Sequence, residues 1–214
     1  AAATAVLTGA LLVGDSMRGS VRELTLDRLG KTDHVLLTER FFREELADDI
    51  AGAEGFDEHF TAALSVFLLQ TTIEGAKTKR RAAQVTTVGV DKEFWRLDPD
   101  RNYPTPEYDQ IVINRKLADE LGIERLPDAQ DEEARPVEVL LRVPRASQIP
   151  ADSPLGRKVE QSPSRRLTVS HIIPNEGLGR FSLQSNQQTP LVAFVNREML
   201  QSRSVLDQDG KGDA

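Results

Sequence analysis

The first thirty residues show the clearest pattern of hydrophobic and polar positions in the chain. Residues 1–14 carry no charge and are mostly apolar. From Leu11 onward, apolar residues recur three or four positions apart, which gathers them on one face of a helix; they are Val13, Met17, Val21 and Leu24. Gly30 suits the left-handed position that ends a helix. The pattern predicts one continuous helix of about thirty residues, roughly 45 Å long.

The apolar opening of this helix is open to three interpretations. It is shorter than the roughly twenty residues that a helix needs to cross a bilayer. It could be the outer end of a membrane helix, the apolar core of a signal peptide without its basic leader, or a buried core helix. The chain does not begin with Met and ends in the ragged sequence DQDGKGDA. We therefore expect a fragment of a longer protein.

The remainder of the chain alternates short strand and helix patterns. Strands are predicted at residues 33–38, 62–74, 82–91, 109–114, 136–143, 166–174, 180–184 and 191–195, and helices at 39–53, 92–97, 115–122 and from 197 onward. Thr38, Asn114 and Asn196 are positioned to cap the helices that follow them. A long polar and proline-containing loop is predicted between Pro144 and Arg165.

This order of elements predicts an α+β fold with two lobes. Residues 1–30 form the end of a membrane helix and a connecting amphipathic helix. Residues 31–134 form a first mixed α/β lobe, and residues 135–214 form a second, β-rich lobe with a C-terminal helix and tail. The 92–97 turn is expected to bury Phe94 and Trp95.

Composition narrows the possible functions. The net charge of −7 argues against nucleic acid as a partner, because phosphates attract basic surfaces. The absence of cysteine excludes disulfides, thiolate catalysis and cysteine-ligated zinc. Four cations, Lys77, Lys79, Arg80 and Arg81, crowd one predicted hairpin, and we interpret them as a solvated tip.

The strongest candidate for catalysis is Ser16. Gly14-Asp15-Ser16 resembles the opening of the motif of GDSL-type esterases, in which a serine is activated by histidine with an aspartate nearby. The family's histidine follows an aspartate by three positions. None of this chain's three histidines, at positions 34, 59 and 171, has that neighbour. We interpret Asp15 and Ser16 as the point where the helix becomes polar.

Candidate ligand sites are also incomplete. Asp98, Asp100 and Asn102 match the first three positions of an EF-hand calcium loop, but Tyr103 stands where glycine is needed. A turn stabilised by the aspartate side chains is the preferred interpretation. Gly177-x-Gly179 lacks the context of a phosphate loop, and adjacent acids such as Asp48-Asp49 and Glu132-Glu133 point apart. We predict no catalytic, cofactor-binding or metal-binding residue and no cofactor.

Five segments, read together and in order, resemble the MacB-like periplasmic core domain of FtsX/MacB-type ABC transporter permeases. They are ALLVGDSMRGSVRELTLDRLG, VTTVGVDKEFW (Val85–Trp95), IVINRKLADELG (Ile111–Gly122), RRLTVSHIIP and LVAFVNREMLQ. The acidic segment IERLPDAQDEEAR and the loop from Pro144 to Arg165 depart from the family pattern. The resemblance covers most of the chain.

The resemblance implies a non-enzymatic role in transport. The domain would lie on the periplasmic side of the inner membrane, between transmembrane helices of a permease that forms a homodimer or pseudo-dimer. A cytoplasmic ATPase would move it, and it would act on an external protein, lipoprotein or substrate. We expect Met17, Val21 and Leu24 to pack on the domain, so that proline at position 21 uncouples the helix at a cost of about 3 kcal/mol.

Two alternatives stay open beside this resemblance. The first is a secreted esterase that uses Ser16, and loss of ester hydrolysis in Ser16→Ala would identify it. The second is a binding module held at the membrane by its N-terminus. Three further apolar runs of about twenty residues in the full-length protein would favour the permease.

Overall fold

The computed structural model describes residues 2–38, 43, 45–127, 135–143, 164–184 and 188–201, and it describes side chains from Leu12 onward. The helices are α1 (Ala2–Leu29), α2 (Glu45–Ala51), α3 (Phe56–His59), α4 (Arg115–Leu121) and α5 (Arg197–Gln201). The strands are β1 (Phe67–Gly75), β2 (Arg81–Val90), β3 (Gln110–Asn114), β4 (Glu138–Arg142), β5 (Ser164–Ile173) and β6 (Val192–Asn196). Two 3-10 helices cover Glu93–Leu97 and Gly177–Arg180.

The six strands close into a single barrel in the order β1-β2-β6-β3-β5-β4. The pairs β2–β6 and β3–β5 are parallel, and the other pairs are antiparallel. The predicted α+β fold with two lobes is therefore wrong. Strands β1–β3 of the expected first lobe pair directly with strands β4–β6 of the expected second lobe. Hydrophobic periodicity identifies a strand but not its partner, and most of these partners are distant in sequence.

The barrel interior is filled by alternate residues of all six strands. Ile111 and Ile113 of β3 belong to this interior cluster, whereas Val112 between them belongs to a cluster on the outer surface. Successive side chains of a strand point to opposite faces, so both faces of β3 are covered. The interior also holds one polar pair, Thr71 and Thr87, whose hydroxyl oxygens lie 2.7 Å apart.

The outer cluster is aromatic and lies beneath the two 3-10 helices. Phe94 and Trp95 are 1% and 9% exposed, which confirms their predicted burial. Phe94 makes edge contacts with Trp95 and Phe181, and both Phe94 and Trp95 pack on Phe194 of β6. Aromatic pairs in these orientations add stability beyond the area that they bury.

Two predicted helix caps are confirmed. The Asn114 side chain accepts a hydrogen bond from the Leu117 amide at 3.0 Å, and α4 ends at Gly122 with φ of 72°. The Asn196 side chain accepts a hydrogen bond from the Met199 amide at 3.2 Å. The proposed Thr38 cap depends on residues 39–42, which lie outside the described residues.

Several predicted elements are corrected. Residues 33–38 and 180–184 form no strand, and the first strand begins at Phe67 rather than near residue 62. Of the helix expected at residues 39–53, the structure describes α2 (Glu45–Ala51), which ends two residues earlier than predicted. Residues 144–163 of the predicted long loop lie outside the described residues, and Ser164 and Arg165 already belong to β5.

Candidate functional site

Helix α1 contacts the barrel at its C-terminal end. Its principal contact in the described residues is the 3-10 helix Gly177–Arg180. The expectation that Met17, Val21 and Leu24 pack on the domain is wrong, because these side chains are 65%, 54% and 48% exposed. None of the helices, over the part of the chain that the structure describes, is long and apolar enough to cross a membrane.

Backbone hydrogen bonds fix the chain where α1 ends. The Gly30 amide donates to the Leu26 carbonyl at 3.0 Å, and the Lys31 amide donates to the Leu97 carbonyl at 2.7 Å. Gly30 has φ of 57°, and a Cβ at this position would collide with the Leu97 carbonyl oxygen. Glycine is therefore required both by the left-handed conformation and by the close approach of the 3-10 helix.

Side chains complete what we call the helix joint, formed by Asp27, Asp98, Arg101, Tyr103 and Gly177. Asp27 Oδ1 accepts a hydrogen bond from Arg101 Nη2 at 3.0 Å. Asp27 Oδ2 accepts one from the Gly177 amide at 2.8 Å. One carboxylate of α1 thus binds a side chain and a backbone amide of the barrel at the same time.

The barrel side of the helix joint is built on Asp98, whose side chain is 7% exposed. Asp98 Oδ2 accepts hydrogen bonds from Arg101 Nη1 and from the Tyr103 hydroxyl, both at 2.8 Å. The Tyr103 hydroxyl also accepts a hydrogen bond from the Leu178 amide at 3.1 Å, and its ring stacks on Trp95 at 5.0 Å. Asp98 therefore orients both Arg101 and Tyr103.

These contacts raise the pKa values of two side chains in the helix joint, Arg101 and Tyr103. The hydrogen bond to Asp98 is the largest of the effects that raise the pKa of Arg101, and Asp27 adds to it. Burial, followed by the hydrogen bond to Asp98, raises the pKa of Tyr103 well above its ordinary value. Both shifts reinforce the protonation states that these groups already have near neutral pH, a charged Arg101 and a neutral Tyr103.

Gly177 leaves the space that the helix joint needs. Its φ is 51°, and an added Cβ would lie 2.5 Å from Asp98 Oδ2 and 2.7 Å from the Tyr103 hydroxyl oxygen and would also collide with Arg101. Any larger residue would push these side chains apart. The Gly177-x-Gly179 pair thus serves close packing.

The residues considered for esterase chemistry do not come together as a described site. Ser16 lies in the exposed part of α1, and its carbonyl accepts a hydrogen bond from Ser20 Oγ at 3.0 Å. A GDSL-like nucleophile needs a strand-to-helix turn that presents its hydroxyl. His34 and His59 make ring contacts with Phe60, and His171 is exposed on β5.

The candidate ligand residues have other surroundings. The Asp98 side chain accepts hydrogen bonds from the Arg101 and Tyr103 side chains. The sequence predicted instead that it would stabilise a turn by binding backbone amides. Asp100 and Asn102 are exposed. Within the described ranges, no group of three or more acidic or histidine side chains could hold a metal ion. Arg81 of the basic hairpin pairs with Glu74 at 3.0 Å.

The acidic pairs considered from the sequence do not form a site either. Asp48 and Asp49 are exposed on α2, and Asp49 pairs with Arg43. Glu132 and Glu133 lie outside the described residues.

Asp27, Arg101 and Tyr103 were not singled out from the sequence. A signal for Asp27 was nevertheless present, because an acid in the last turn of a helix faces the negative end of the helix dipole. Such a residue is unfavourable unless a cation or amide donor compensates it. The sequence pattern places Asp98 only in a possible calcium loop, together with Asp100 and Asn102 and without Arg101. Neither a scan against protein-family models nor a search of curated proteins finds a match to this sequence.

Proposed function

We propose that this chain is the extracytoplasmic domain of an FtsX/MacB-type ABC transporter permease and that its helix joint passes the movement of α1 to the barrel. The observation that carries the proposal is the polar connection between the last turn of α1 and the barrel. Asp27 reaches Arg101 and Gly177, while Met17, Val21 and Leu24 upstream are more than two-fifths exposed.

This geometry suits mechanical transmission. A helix is stiff along its axis, so a displacement applied at its N-terminal end reaches its C-terminal end. Both of the donors that bind Asp27 belong to segments packed on the aromatic outer cluster. Gly177 begins the second 3-10 helix, and Arg101 is held by Asp98, next to the first. Movement of Asp27 would therefore be delivered to the barrel wall.

In the proposed setting, a cytoplasmic ATPase dimer moves the membrane helices of the full-length permease. The domain lies on the periplasmic side of the inner membrane, and the permease works as a homodimer or pseudo-dimer. The barrel carries an external protein, lipoprotein or substrate and does not catalyse a reaction. The support is the resemblance of five ordered segments together with the helix joint.

Topology in the full-length protein tests this function. This 214-residue sequence contains no cysteine, and Lys77 is exposed at the β1–β2 turn, so Lys77→Cys gives a single label site once any cysteine elsewhere in the full-length protein is replaced by serine. Cells with a permeabilised outer membrane are treated with a membrane-impermeant thiol reagent. Ala118→Cys is the matched control, because Ala118 is 0% exposed and should react only after unfolding.

Labelling of Lys77→Cys in intact cells is the expected result. Labelling that occurs only after lysis would place the domain in the cytoplasm and would overturn the proposed function. A full-length sequence with one apolar span and no others would favour the membrane-held binding module over the permease.

A further inference from the structure

A groove of about 360 Å³ lies beside the helix joint, and we call it the joint groove. One wall consists of residues in the last turns of α1, namely Thr25, Arg28 and Leu29. Another wall consists of residues that follow the helix, namely Asp33, Val35 and Leu37. Pockets that hold small molecules in proteins have volumes of roughly 300–1,000 Å³, so the joint groove is large enough for a small ligand only.

Aliphatic side chains cover most of the joint groove. Val35 and Leu37 are 51% and 67% exposed. They are alternate residues, and alternate side chains share one side of an extended chain. Leu183 also lines the groove, and it packs on the aromatic outer cluster of the barrel. A ligand with an aliphatic body would remove these side chains from water, which favours its binding.

Two groups of opposite charge also line the joint groove. Arg28 belongs to the α1 wall and Asp33 to the other wall. A guanidinium group has five N–H donors, so Arg28 can bind a ligand carboxylate in addition to its contacts within the protein. Asp33 is exposed and forms no ion pair with any other described residue. An aliphatic ligand that covered either charge without a counter-charge would be opposed by a large desolvation penalty.

One of the three hydroxyl groups in the joint groove is not used within the protein. Thr25 Oγ1 donates to the Val21 carbonyl at 2.9 Å, and Ser182 Oγ donates to the Gln184 carbonyl at 3.3 Å. Thr32 Oγ1 is buried and has no hydrogen-bond partner among the described residues. Buried polar groups of this kind are uncommon in folded proteins. A rotation about χ1 would turn this hydroxyl towards the groove, where a bound carboxylate would accept its hydrogen bond.

We propose that the joint groove binds an aliphatic dipeptide whose amino and carboxyl ends are both free. Its carboxylate pairs with Arg28 and accepts the Thr32 hydrogen bond, while its ammonium group pairs with Asp33. Its two side chains cover Val35 and Leu37. A single amino acid fits less well, because Arg28 and Asp33 belong to different walls and the charges of a dipeptide stand at its opposite ends. This inference does not depend on the permease function.

The two charges of the joint groove distinguish this ligand from other aliphatic molecules. A fatty acid, or the C-terminus of a protein, carries a carboxylate alone and would cover Asp33 without a counter-charge. The N-terminus of a protein would cover Arg28 in the same way. Only a ligand with two free ends complements both charges of the groove.

The test is a titration of the nitrogen-15-labelled 214-residue chain with leucyl-leucine, followed by NMR. Acetyl-leucyl-leucine keeps only the carboxylate, leucyl-leucinamide keeps only the ammonium group, and glycyl-glycine keeps both charges without aliphatic side chains. We expect saturable binding of leucyl-leucine that is at least tenfold tighter than that of each comparison ligand. Equal binding of acetyl-leucyl-leucine would indicate a site for a carboxylate alone and would overturn the proposal. Absence of saturation by leucyl-leucine up to about 20 mM would also overturn it.

The positions of the shifted amide signals locate the ligand. The amides of Leu29, Thr32 and Leu183 should shift with leucyl-leucine, because these residues line the joint groove. The amide of Lys77, which is exposed in the β1–β2 turn, is the control and should stay unchanged. A set of shifted amides centred on any other surface would overturn the assignment.

Charge pairing is tested by combining variants with ligands that lack one charge. Asp33→Asn should weaken leucyl-leucine about fivefold, which is the upper end for an exposed ion pair, but should not weaken acetyl-leucyl-leucine. Arg28→Gln should weaken leucyl-leucine by a similar factor but should not weaken leucyl-leucinamide. Asp15→Asn and Arg22→Gln are the matched controls, because both residues are exposed on α1 outside the groove. If a folded groove variant weakens all ligands equally, the proposed pairing is wrong.

The aliphatic contact is tested by Val35→Thr, which keeps the shape of the side chain but adds a hydroxyl. This variant should weaken leucyl-leucine at least threefold. Val13→Thr is the matched control, because Val13 is 61% exposed on α1 and does not line the groove. If Val35→Thr binds leucyl-leucine as tightly as Val13→Thr does, the ligand does not cover this wall and the proposal is wrong.

Discussion

The bond between Asp27 and the Gly177 amide gives the most specific prediction about the helix joint. Asp27→Ala removes a hydrogen bond of 2.8 Å to Gly177 and one of 3.0 Å to Arg101. The Asp27 side chain is 31% exposed and that of Arg101 is 37% exposed, so the ion pair contributes at most about 1 kcal/mol. The hydrogen bond from the Gly177 amide to the charged Asp27 carboxylate contributes about 1.5 kcal/mol.

A smaller term acts in the opposite direction. Removing an acid from the last turn of α1 relieves about 0.5 kcal/mol of unfavourable interaction with the helix dipole. The net loss at the helix joint is therefore about 2 kcal/mol, which corresponds to roughly a thirtyfold change in local opening. The loss should be local, because the barrel interior does not include Asp27.

Hydrogen exchange followed by NMR can resolve this single amide. In Asp27→Ala, the Gly177 amide should exchange about thirtyfold faster, while the amides of β3 and β6 keep their protection. Asp15→Ala is the control, because Asp15 is an exposed acid on the same helix. A Gly177 exchange rate within twofold of the parent in Asp27→Ala would refute the assigned bond.

Three further predictions concern other parts of the molecule. Val21→Pro should reduce the helical circular dichroism signal. It should change the stability of the barrel in urea unfolding by less than about 1 kcal/mol, because Val21 is 54% exposed. A larger loss of stability would mean that α1 packs on the barrel. Gly177→Ala should destabilise the protein by about 2–4 kcal/mol, because it adds both backbone strain at a positive φ and a collision with Asp98. An unchanged melting temperature would contradict this. The raised pKa of Tyr103 contributes stability that is complete below about pH 10 and is lost above it. The free energy of unfolding should therefore fall more steeply from pH 9 to 11 in the parent protein than in Tyr103→Phe. Parallel slopes in the two proteins would refute this.

Local features of the fold could be predicted where the cause is local. Asn114 and Gly122 bracket α4 because their capping chemistry acts within one helical turn. The burial of Phe94 and Trp95 followed from their large apolar surface. Barrel closure could not be predicted in this way, because β3 takes both of its partners from strands more than fifty residues later in the chain.

The helix joint could not be predicted from the sequence for a related reason. Asp27 and Gly177 are 150 positions apart, and neither forms part of a recognisable motif. The apolar stripe of α1 was misleading because amphipathic spacing identifies a face that could be buried without specifying what covers it. The same limitation applies to residues 33–38, whose strand pattern is not matched by a strand of the described barrel.

The most direct test of mechanical coupling is a distance distribution between α1 and the barrel in the full-length protein. Spin labels at Arg22→Cys and Lys77→Cys, both exposed positions, would be measured by pulsed electron resonance with and without bound ATP. We expect one narrow distribution in both states, because α1 and the barrel move together, and a broad distribution after Asp27→Ala and Arg101→Ala are added. A broad distribution in the parent protein would contradict a rigid helix joint and the coupling that depends on it.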